Sequence, residues 1–180
     1  MSALRVAVAV VWLLFWAYWL ASARGVKSGS RGYAGLQIRV ILLVVVIVLV
    51  RVIHVRSVEI HSVPVEVVGA VIFLSGLALA VWARRHLGRN WGMPMTLKDE
   101  PELVSTGPYR LVRHPIYTGL LLGLLGTALM TSLLGLVVVV IAGVYFYYAA
   151  TVEERNLAAS MPQSYPAYRA RTKMLIPFIL

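Results

Sequence analysis

The sequence predicts an all-α integral membrane protein, a bundle of five transmembrane helices, and three observations carry this prediction. Of its 180 residues, 60% are hydrophobic and only 13% are charged, whereas about a quarter of the residues in soluble domains are charged. The mean hydropathy is +0.82. Apolar runs of membrane-spanning length alternate with polar connectors, and in lipid such runs must be helical, because an isolated strand leaves its backbone polar groups unpaired. The length fits a single domain, residues 1–180.

Five apolar runs define the predicted spans, at about residues 3–21, 36–50, 63–82, 116–130 and 133–150. The first run resembles a signal peptide followed by an Ala-x-Ala cleavage pattern, but its length and bulky aromatic residues favour an uncleaved helix. Pro64 opens the third run, where a proline fits the start of a helix. Only Thr131 and Ser132 separate the last two runs, which predicts a tight antiparallel hairpin.

Three glycines of the fourth run, Gly119, Gly123 and Gly126, recur at spacings of four and three residues. This small-residue pattern lets helix backbones approach closely. The close contact could lie within the bundle or against a second copy of the chain.

The distribution of basic residues predicts the orientation. Residues 22–39, residues 83–115 and the tail after Ala150 together hold 14 of the 17 Lys and Arg, and five spans place these segments on one side. The positive-inside rule then places the N-terminus outside and the C-terminus in the cytoplasm, and we expect the plasma (inner) membrane. Because this bias accounts for the net charge of +10, we expect no nucleic-acid binding.

Several kinds of site are excluded by the residue types present. The chain has no cysteine, so it has no disulfide, no thiolate nucleophile and no cysteine-ligated metal. Its four histidines, at positions 54, 61, 86 and 114, lack the close spacing of zinc ligands, and we expect no metal. Without a G-x-G-x-x-G motif or a P-loop, a Rossmann-type cofactor domain is excluded as well.

Two polar clusters flank the predicted terminal hairpin. Arg110, Arg113, His114 and Tyr117 precede it, and residues 153–156, Glu-Glu-Arg-Asn, follow it. The two spans differ in length by only about 4 to 5 Å at the rise of a helix, so both clusters should face each other at one membrane surface. A site that holds cationic and anionic groups together suits a zwitterionic ligand.

These residues also allow purely structural interpretations. Arg113 and His114 could be snorkelling side chains at a helix end, and Trp91, Tyr165 and Tyr168 could be interfacial anchors rather than a cover for a ring or a sulfonium. Glu153 and Glu154 lie near the negative end of a helix dipole and therefore require a cationic partner. An arginine as that partner would make the pair structural, whereas a bound ammonium group would make it functional.

Five short motifs carry a resemblance to a known family. They are Leu87-Gly88-Arg89-Asn90-Trp91, Glu102-Leu103-Val104-Ser105-Thr106-Gly107-Pro108-Tyr109-Arg110, Arg113-His114-Pro115-Ile116-Tyr117-Thr118-Gly119, Glu153-Glu154, and Tyr165-Pro166-Ala167-Tyr168 followed by Ile176-Pro177. In these motifs the chain resembles the isoprenylcysteine carboxyl methyltransferase family and its bacterial relatives. The match covers about residues 83–180.

The resemblance implies a membrane enzyme that binds S-adenosyl-L-methionine in a cytosolic pocket formed by the segments before and after the terminal hairpin. Catalytic roles fall to His114 and Arg113. The cofactor contacts carried over by position are Pro101, Glu102, Leu103, Val104, Tyr109, His114, Pro115, Ile116, Tyr117 and Glu153. In this arrangement Glu153 pairs with the methionine ammonium, and His114 or Arg113 holds the methionine carboxylate.

The implied reaction is methyl transfer to a lipidic or membrane-dissolved acceptor. A prenylcysteine-like carboxylate is a less secure acceptor, because Ala149 stands where the eukaryotic enzymes have a substrate-binding arginine. An acceptor that must lose a proton would need a base, for which His114 and Glu154 are the candidates. Two alternatives are an NADPH-dependent membrane reductase related to the sterol reductases and a non-catalytic membrane protein. Contacts of Arg89 or Glu66 with substrate stay open.

Overall fold

The structure, a computed structural model, describes residues 3–22, 29–30, 62–90, 97–98 and 102–177. The regular elements of this part of the chain are helices, apart from two paired two-residue strands. Its five α-helices are α1 (Ala3–Ser22), α2 (Val63–Leu87), α3 (Pro115–Thr131), α4 (Gly135–Ser160) and α5 (Tyr165–Arg171). The strands β1 (Gly29–Ser30) and β2 (Leu97–Lys98) pair antiparallel, and short 3-10 turns lie at Gly88–Asn90 and Gly107–Arg110.

Helices occur at four of the five predicted spans, and the second, 36–50, lies outside the described residues. Within the described residues, α1, α2 and α4 are long and apolar enough to cross a membrane, while α3 is a shorter apolar helix of 17 residues. A count of five spans therefore stays a prediction. Together these helices indicate an integral membrane protein.

Two helices continue beyond the ends of the predicted spans. The third span was predicted to stop at residue 82 and the fifth at residue 150, but α2 continues to Leu87 and α4 to Ser160. An apolar run predicts only the part of a helix that suits the hydrocarbon of a membrane. The helix itself continues through polar residues until a residue such as glycine or proline ends it. For α2 the interruption is Gly88, whose φ of 55° favours glycine, and for α4 it is the turn that begins at Pro162.

Glycines bring α2 and α3 into backbone contact. A Cβ built on Gly76 would lie 2.6 Å from both the carbonyl oxygen of Gly119 and the nitrogen of Gly123. A Cβ built on Gly119 would meet the Gly76 carbonyl at 2.5 Å in return, and Gly126 packs in the same way against Gly69. The predicted close approach is thus confirmed, and its partner is α2 of the same chain.

α1 runs alongside α2 in the same direction. Near its start, Arg5 donates to the carbonyl of Thr131, and Trp12 donates from Nε1 to the Thr127 hydroxyl at 3.1 Å. At its end, the Ser22 carbonyl accepts a hydrogen bond from Arg84 of α2. Ser22 and Ser62, the described residues at the end of α1 and just before α2, therefore lie at opposite ends of the bundle.

α3 and α4 form the predicted tight hairpin. Only residues 132–134 separate them, and the Ser132 hydroxyl accepts a hydrogen bond from the Leu134 nitrogen at 3.3 Å. α3 spans about 24 Å from Pro115 to Thr131, and α4 spans about 27 Å from Gly135 to Glu153 at the rise of an α-helix. The last turns of α4 consequently lie beside the first residues of α3.

Candidate functional site

The candidate site is a charged cluster where the end of α4 meets the start of α3. Arg113 donates from Nε to Glu154 Oε1 at 2.6 Å, and both side chains are almost fully buried, with exposed fractions of 9% and 3%. His114 lies between the two glutamates. Its Nδ1 is 3.5 Å from Glu153 Oε2, and its Nε2 is 3.4 Å from Glu154 Oε1. The predicted approach of the two clusters is confirmed by these distances.

Aromatic rings support one side of this cluster. The Tyr117 hydroxyl donates to Glu153 Oε1 at 2.5 Å, a short, charge-assisted hydrogen bond. The Tyr117 ring lies between the His114 imidazole and the Phe146 ring, with centroid separations of 5.5 Å and 4.7 Å and nearly parallel planes. This stack fixes the orientation of the imidazole and of the Glu153 carboxylate together.

The segment after α5 supports the other side through its backbone. The nitrogens of Arg113 and His114 donate to the carbonyls of Lys173 and Met174 at 2.8 and 3.0 Å. Arg113 Nη1 also donates to the carbonyls of Arg169 and Thr172. These carbonyls lie at the end of α5, where a cation is favourably placed. The cluster is therefore closed by a segment that follows the predicted hairpin by more than ten residues.

Electrostatics favour a protonated His114. Burial lowers the pKa of the imidazole, but the carboxylates of Glu153 and Glu154 more than offset this, and the pKa is raised above its ordinary value. Two carboxylates then face two cations, Arg113 and the His114 imidazolium. The exposed Arg169 adds a third at 3.4 Å from Glu154 Oε2.

Among the described residues, three buried polar atoms of this region have no hydrogen-bond partner: His114 Nε2, Glu154 Oε2 and the Tyr165 hydroxyl. The separations of Nε2 and Oε2 from their charged neighbours are ion-pair distances without hydrogen-bond alignment. Two of these atoms are donors and one is an acceptor, so the cluster retains capacity for polar atoms of a ligand or of water.

Three buried tyrosines pack beneath the cluster. The Tyr168 hydroxyl donates to the carbonyl of Tyr109 at 2.7 Å and so joins α5 to the turn before α3. Burial raises the pKa of Tyr168 to about 12 and raises the pKa of Tyr109 and Tyr165 further. All three phenols therefore remain protonated. Their burial also shows that Tyr165 and Tyr168 are not interfacial anchors.

The predicted cofactor contacts differ in their surroundings, and Pro101 lies outside the described residues. Tyr109, His114, Pro115 and Tyr117 are buried, and Leu103, Val104, Ile116 and Glu153 are half-buried. Glu102 is exposed and accepts a hydrogen bond from Asn90 at 2.8 Å. The structure thus brings His114, Tyr117 and Glu153 together, with Tyr109 linked to them through α5. Glu66 lies in the first turn of α2, toward the opposite end of the bundle.

Sequence reasoning missed several supporting residues. Arg169 and Thr172 contact the cluster from the tail, and the Thr118 hydroxyl donates to the Leu175 carbonyl at 2.7 Å. His86 has no predicted role beyond its exclusion as a metal ligand, but it is hydrogen-bonded to Thr106 at 2.7 Å. A Cβ on Gly107 would clash with the His86 ring. A helical repeat predicts none of these contacts, because they depend on how irregular segments fold back.

Within the described part of the chain, no group of three or more histidine or acidic side chains could hold a metal ion. What the cluster offers instead is a pair of carboxylates beside two buried cations and a polarised phenol. Glu153 is 23% exposed, whereas Glu154 is 3% exposed, so Glu153 is the more accessible of the two carboxylates. This donor set fits a ligand that carries an ammonium group next to a carboxylate.

Comparisons with known proteins identify the family and several relatives of the chain. The family model of the phospholipid methyltransferases matches residues 65–163. The chain is 35% identical over 107 residues to a cobalt-zinc-cadmium resistance protein of Cupriavidus metallidurans, covering 58% of this chain and 47% of the relative. It is 33% identical over 82 residues to a methanethiol S-methyltransferase of Pseudomonas sp., covering 45% of this chain and 31% of that enzyme. The chain spans about half or less of the length of these relatives.

A solved structure is also similar. It is that of the eukaryotic intramembrane Ras methyltransferase, an isoprenylcysteine carboxyl methyltransferase. The TM-score is 0.58 and the identity 25%, and the match covers 64% of this chain and 43% of the other. The resemblance seen in the sequence motifs is thereby confirmed.

Proposed function

The chain belongs to the phospholipid methyltransferase family, and from this premise we propose that it is a membrane methyltransferase that uses S-adenosylmethionine as the methyl donor. The acceptor is a lipidic or membrane-dissolved small molecule that reaches the site between helices. The observation that carries the proposal is the position of Glu153, which contacts both His114 and Tyr117 at one end of the bundle. We place this end of the bundle in the cytoplasm, at the plasma (inner) membrane.

The residues of the cluster fit the zwitterionic end of the donor. When bound, S-adenosylmethionine supplies a methyl group on a sulfonium, and its methionine part carries an ammonium and a carboxylate. Glu153 binds the ammonium, because it is the accessible carboxylate and the Tyr117 hydroxyl fixes its orientation. His114 Nε2, which is buried without an aligned partner among the described residues, donates to the carboxylate.

Arg113 has a different role in this proposal from the catalytic one predicted from the motif. Its Nε is bound to Glu154, and its Nη1 is bound to two backbone carbonyls of the tail. We therefore assign Arg113 as a positioning residue, which holds Glu154 and the tail in place. Glu154 in turn stabilises the charged form of His114.

The same contacts narrow the choice of acceptor. Methyl transfer forms a bond from the acceptor to carbon and breaks the bond from carbon to sulfur, and a neutral acceptor must also lose a proton. The folded state favours the protonated form of His114, and Glu154 is paired with Arg113, so both are poorly suited to take that proton. An acceptor that arrives as an anion needs no base, and a carboxylate meets this condition. A thiol has an ordinary pKa of about 8.5, so it arrives mostly neutral and must lose its proton to a base or to water. Ala149 is fully buried and supplies no cation for an acceptor carboxylate.

No contact in the described residues favours the NADPH-dependent reductase that the sequence allowed as an alternative. Family membership favours methyl transfer. Loss of Arg113, His114 or Glu153 without effect on ligand binding would instead support a non-catalytic membrane protein.

The test is equilibrium binding of S-adenosylhomocysteine to the purified full chain in detergent, measured by isothermal titration calorimetry. We expect saturable binding that Glu153→Gln weakens by about tenfold or more, since a charge-assisted contact is lost. Arg155→Gln is the matched control, because Arg155 is exposed two residues further along the same helix. Absence of saturable binding, or equal binding by both variants, contradicts the proposal.

A further inference from the structure

Between residues 102 and 177, five cations are exposed around the helix ends that border the charged cluster: Arg110, Arg155, Arg169, Arg171 and Lys173. Between residues 102 and 177, all of which are described, the chain has three acidic residues. Glu153 and Glu154 face Arg113 and His114, and Glu102 accepts a hydrogen bond from Asn90. The exposed surface of this segment is therefore strongly positive.

Three contacts bring the segments that carry these cations together at one end of the bundle. The Tyr168 hydroxyl is bound to the Tyr109 carbonyl, and Val112 pairs with Lys173 in an isolated β-bridge. Arg110 lies between these two contacts and hence beside the tail. Arg169 approaches Glu154 at 3.4 Å and so brings α5 to the end of α4, where Arg155 is exposed.

Two large apolar side chains are exposed in the same segments. Leu111 follows Arg110 and is 53% exposed, and Ile176, which lies near Lys173, is 47% exposed. α3, an apolar helix, begins four residues after Leu111. Exposed cations next to exposed aliphatic side chains, at the end of a membrane helix, are the combination found where proteins lie in the lipid headgroup layer.

We propose that this basic face, formed by Arg110, Leu111, Arg155, Arg169, Arg171, Lys173 and Ile176, binds the phosphate groups of anionic phospholipids. The cations bind the phosphates, and Leu111 and Ile176 contact the upper acyl chains. A free phosphate ion has no apolar part that could contact Leu111 and Ile176. The ligand of this face is therefore the whole lipid. This inference is independent of methyl transfer, because none of its test residues lies in the charged cluster.

The test uses the full chain in a neutral detergent and measures the binding of dioleoylphosphatidylglycerol and dioleoylphosphatidylcholine by native mass spectrometry. Each Lys or Arg at an anionic surface strengthens binding by about fivefold, so we expect phosphatidylglycerol to bind at least about tenfold more tightly. The triple variant Arg110→Gln, Arg171→Gln, Lys173→Gln should lose most of that preference. Arg5→Gln is the control, because Arg5 contacts Thr131 at the other end of the bundle.

Two further measurements keep the proposal falsifiable if the triple variant fails to fold. Arg171→Gln alone should reduce the preference by about fivefold. In the unaltered chain, the preference should fall as NaCl is raised from about 0.05 M to about 0.5 M, since salt screens exposed charges. Inorganic phosphate at the same concentration should not displace the lipid. Equal binding of the two lipids, a preference unchanged in both variants, or displacement by phosphate alone overturns the proposal.

Discussion

His114 is a buried side chain whose pKa depends on the charged groups around it. It is enclosed by Glu153 and Glu154 and stacked on Tyr117. Burial alone would lower the pKa of the imidazole, but the combined effect of the two carboxylates raises it above its ordinary value. The folded state therefore favours the protonated imidazole, which makes stability depend on pH.

A raised pKa predicts a stability that depends on pH. The contribution of His114 is fully present below its ordinary pKa of 6.5, and it is lost as pH rises through the higher pKa of the folded protein. We expect the melting temperature to fall, as pH rises above about 6.5, more steeply in the unaltered chain than in His114→Gln. Differential scanning fluorimetry in detergent measures both curves. Parallel curves would show that His114 is not the titrating group.

The Tyr117 hydroxyl provides a second test on one atom. Tyr117→Phe keeps the ring between His114 and Phe146 but removes the donor to Glu153. Because a hydrogen bond to a charged group is worth about 1.5 to 3 kcal/mol, we expect binding of S-adenosylhomocysteine to weaken by about tenfold or more.

Tyr148→Phe is the control for that measurement, since Tyr148 is 51% exposed on α4. If Tyr117→Phe binds as tightly as the unaltered chain, Tyr117 does not orient Glu153 toward the ligand. If both variants weaken binding equally, the effect is not specific to the cluster.

The juxtaposition of His114 and Glu153 could be predicted from the sequence, because two antiparallel helices of similar length return the chain to its starting level. The partners that Arg113 has in the tail could not be predicted from the sequence. They are backbone carbonyls, which every residue has, so residue types do not indicate them. For the same reason, the sequence left open whether Glu154 pairs with Arg113 or with a ligand, and the 2.6 Å contact decides for Arg113.

At the scale of the helices, the packing of α2 against α3 depends on the absence of side chains. Gly76 has no room for a Cβ, because backbone atoms of Gly119 and Gly123 occupy that space. The sequence predicted the glycine face of α3 but not its partner. Gly69 and Gly76 of α2 are seven positions apart, so they do not show the spacing of three or four residues that marks the glycine face of α3.

Gly76→Ala is therefore expected to destabilise the bundle by about 1 to 3 kcal/mol, the usual cost of overpacking. Gly143→Ala is the matched control, because among the described residues the one atom within 4 Å of a Cβ there is a Leu121 methyl carbon at 4.0 Å. That control should be neutral, or should stabilise α4 by up to about 1 kcal/mol. Unfolding in sodium dodecyl sulfate measures both. Similar stabilities of the two variants would argue against tight α2–α3 contact.

At the scale of the whole molecule, the direction of the helices constrains the topology. α1 and α2 run the same way, and α3 runs against both, so the cluster lies at the end shared by Ser22, Leu87 and Ser160. The distribution of Lys and Arg predicts that this end is cytoplasmic. The orientation can be tested directly, since the natural chain contains no cysteine.

We expect a membrane-impermeant maleimide to label Leu133→Cys but not Ser160→Cys in intact cells, and the reverse in inverted vesicles. Both positions are exposed and lie at opposite ends of α4. Labelling of both from the same side would contradict the predicted crossing of α4. The unaltered chain, which has no thiol, provides the background.

The tail that completes the cluster has a consequence for biosynthesis. Residues 169–174, whose carbonyls accept hydrogen bonds from Arg113 and His114, are synthesised after α1, α2, α3 and α4. Glu153 and Glu154 are therefore synthesised before the tail carbonyls that hold their neighbour Arg113. The observed arrangement of the cluster can form only after the tail has been synthesised and has folded back onto the start of α3.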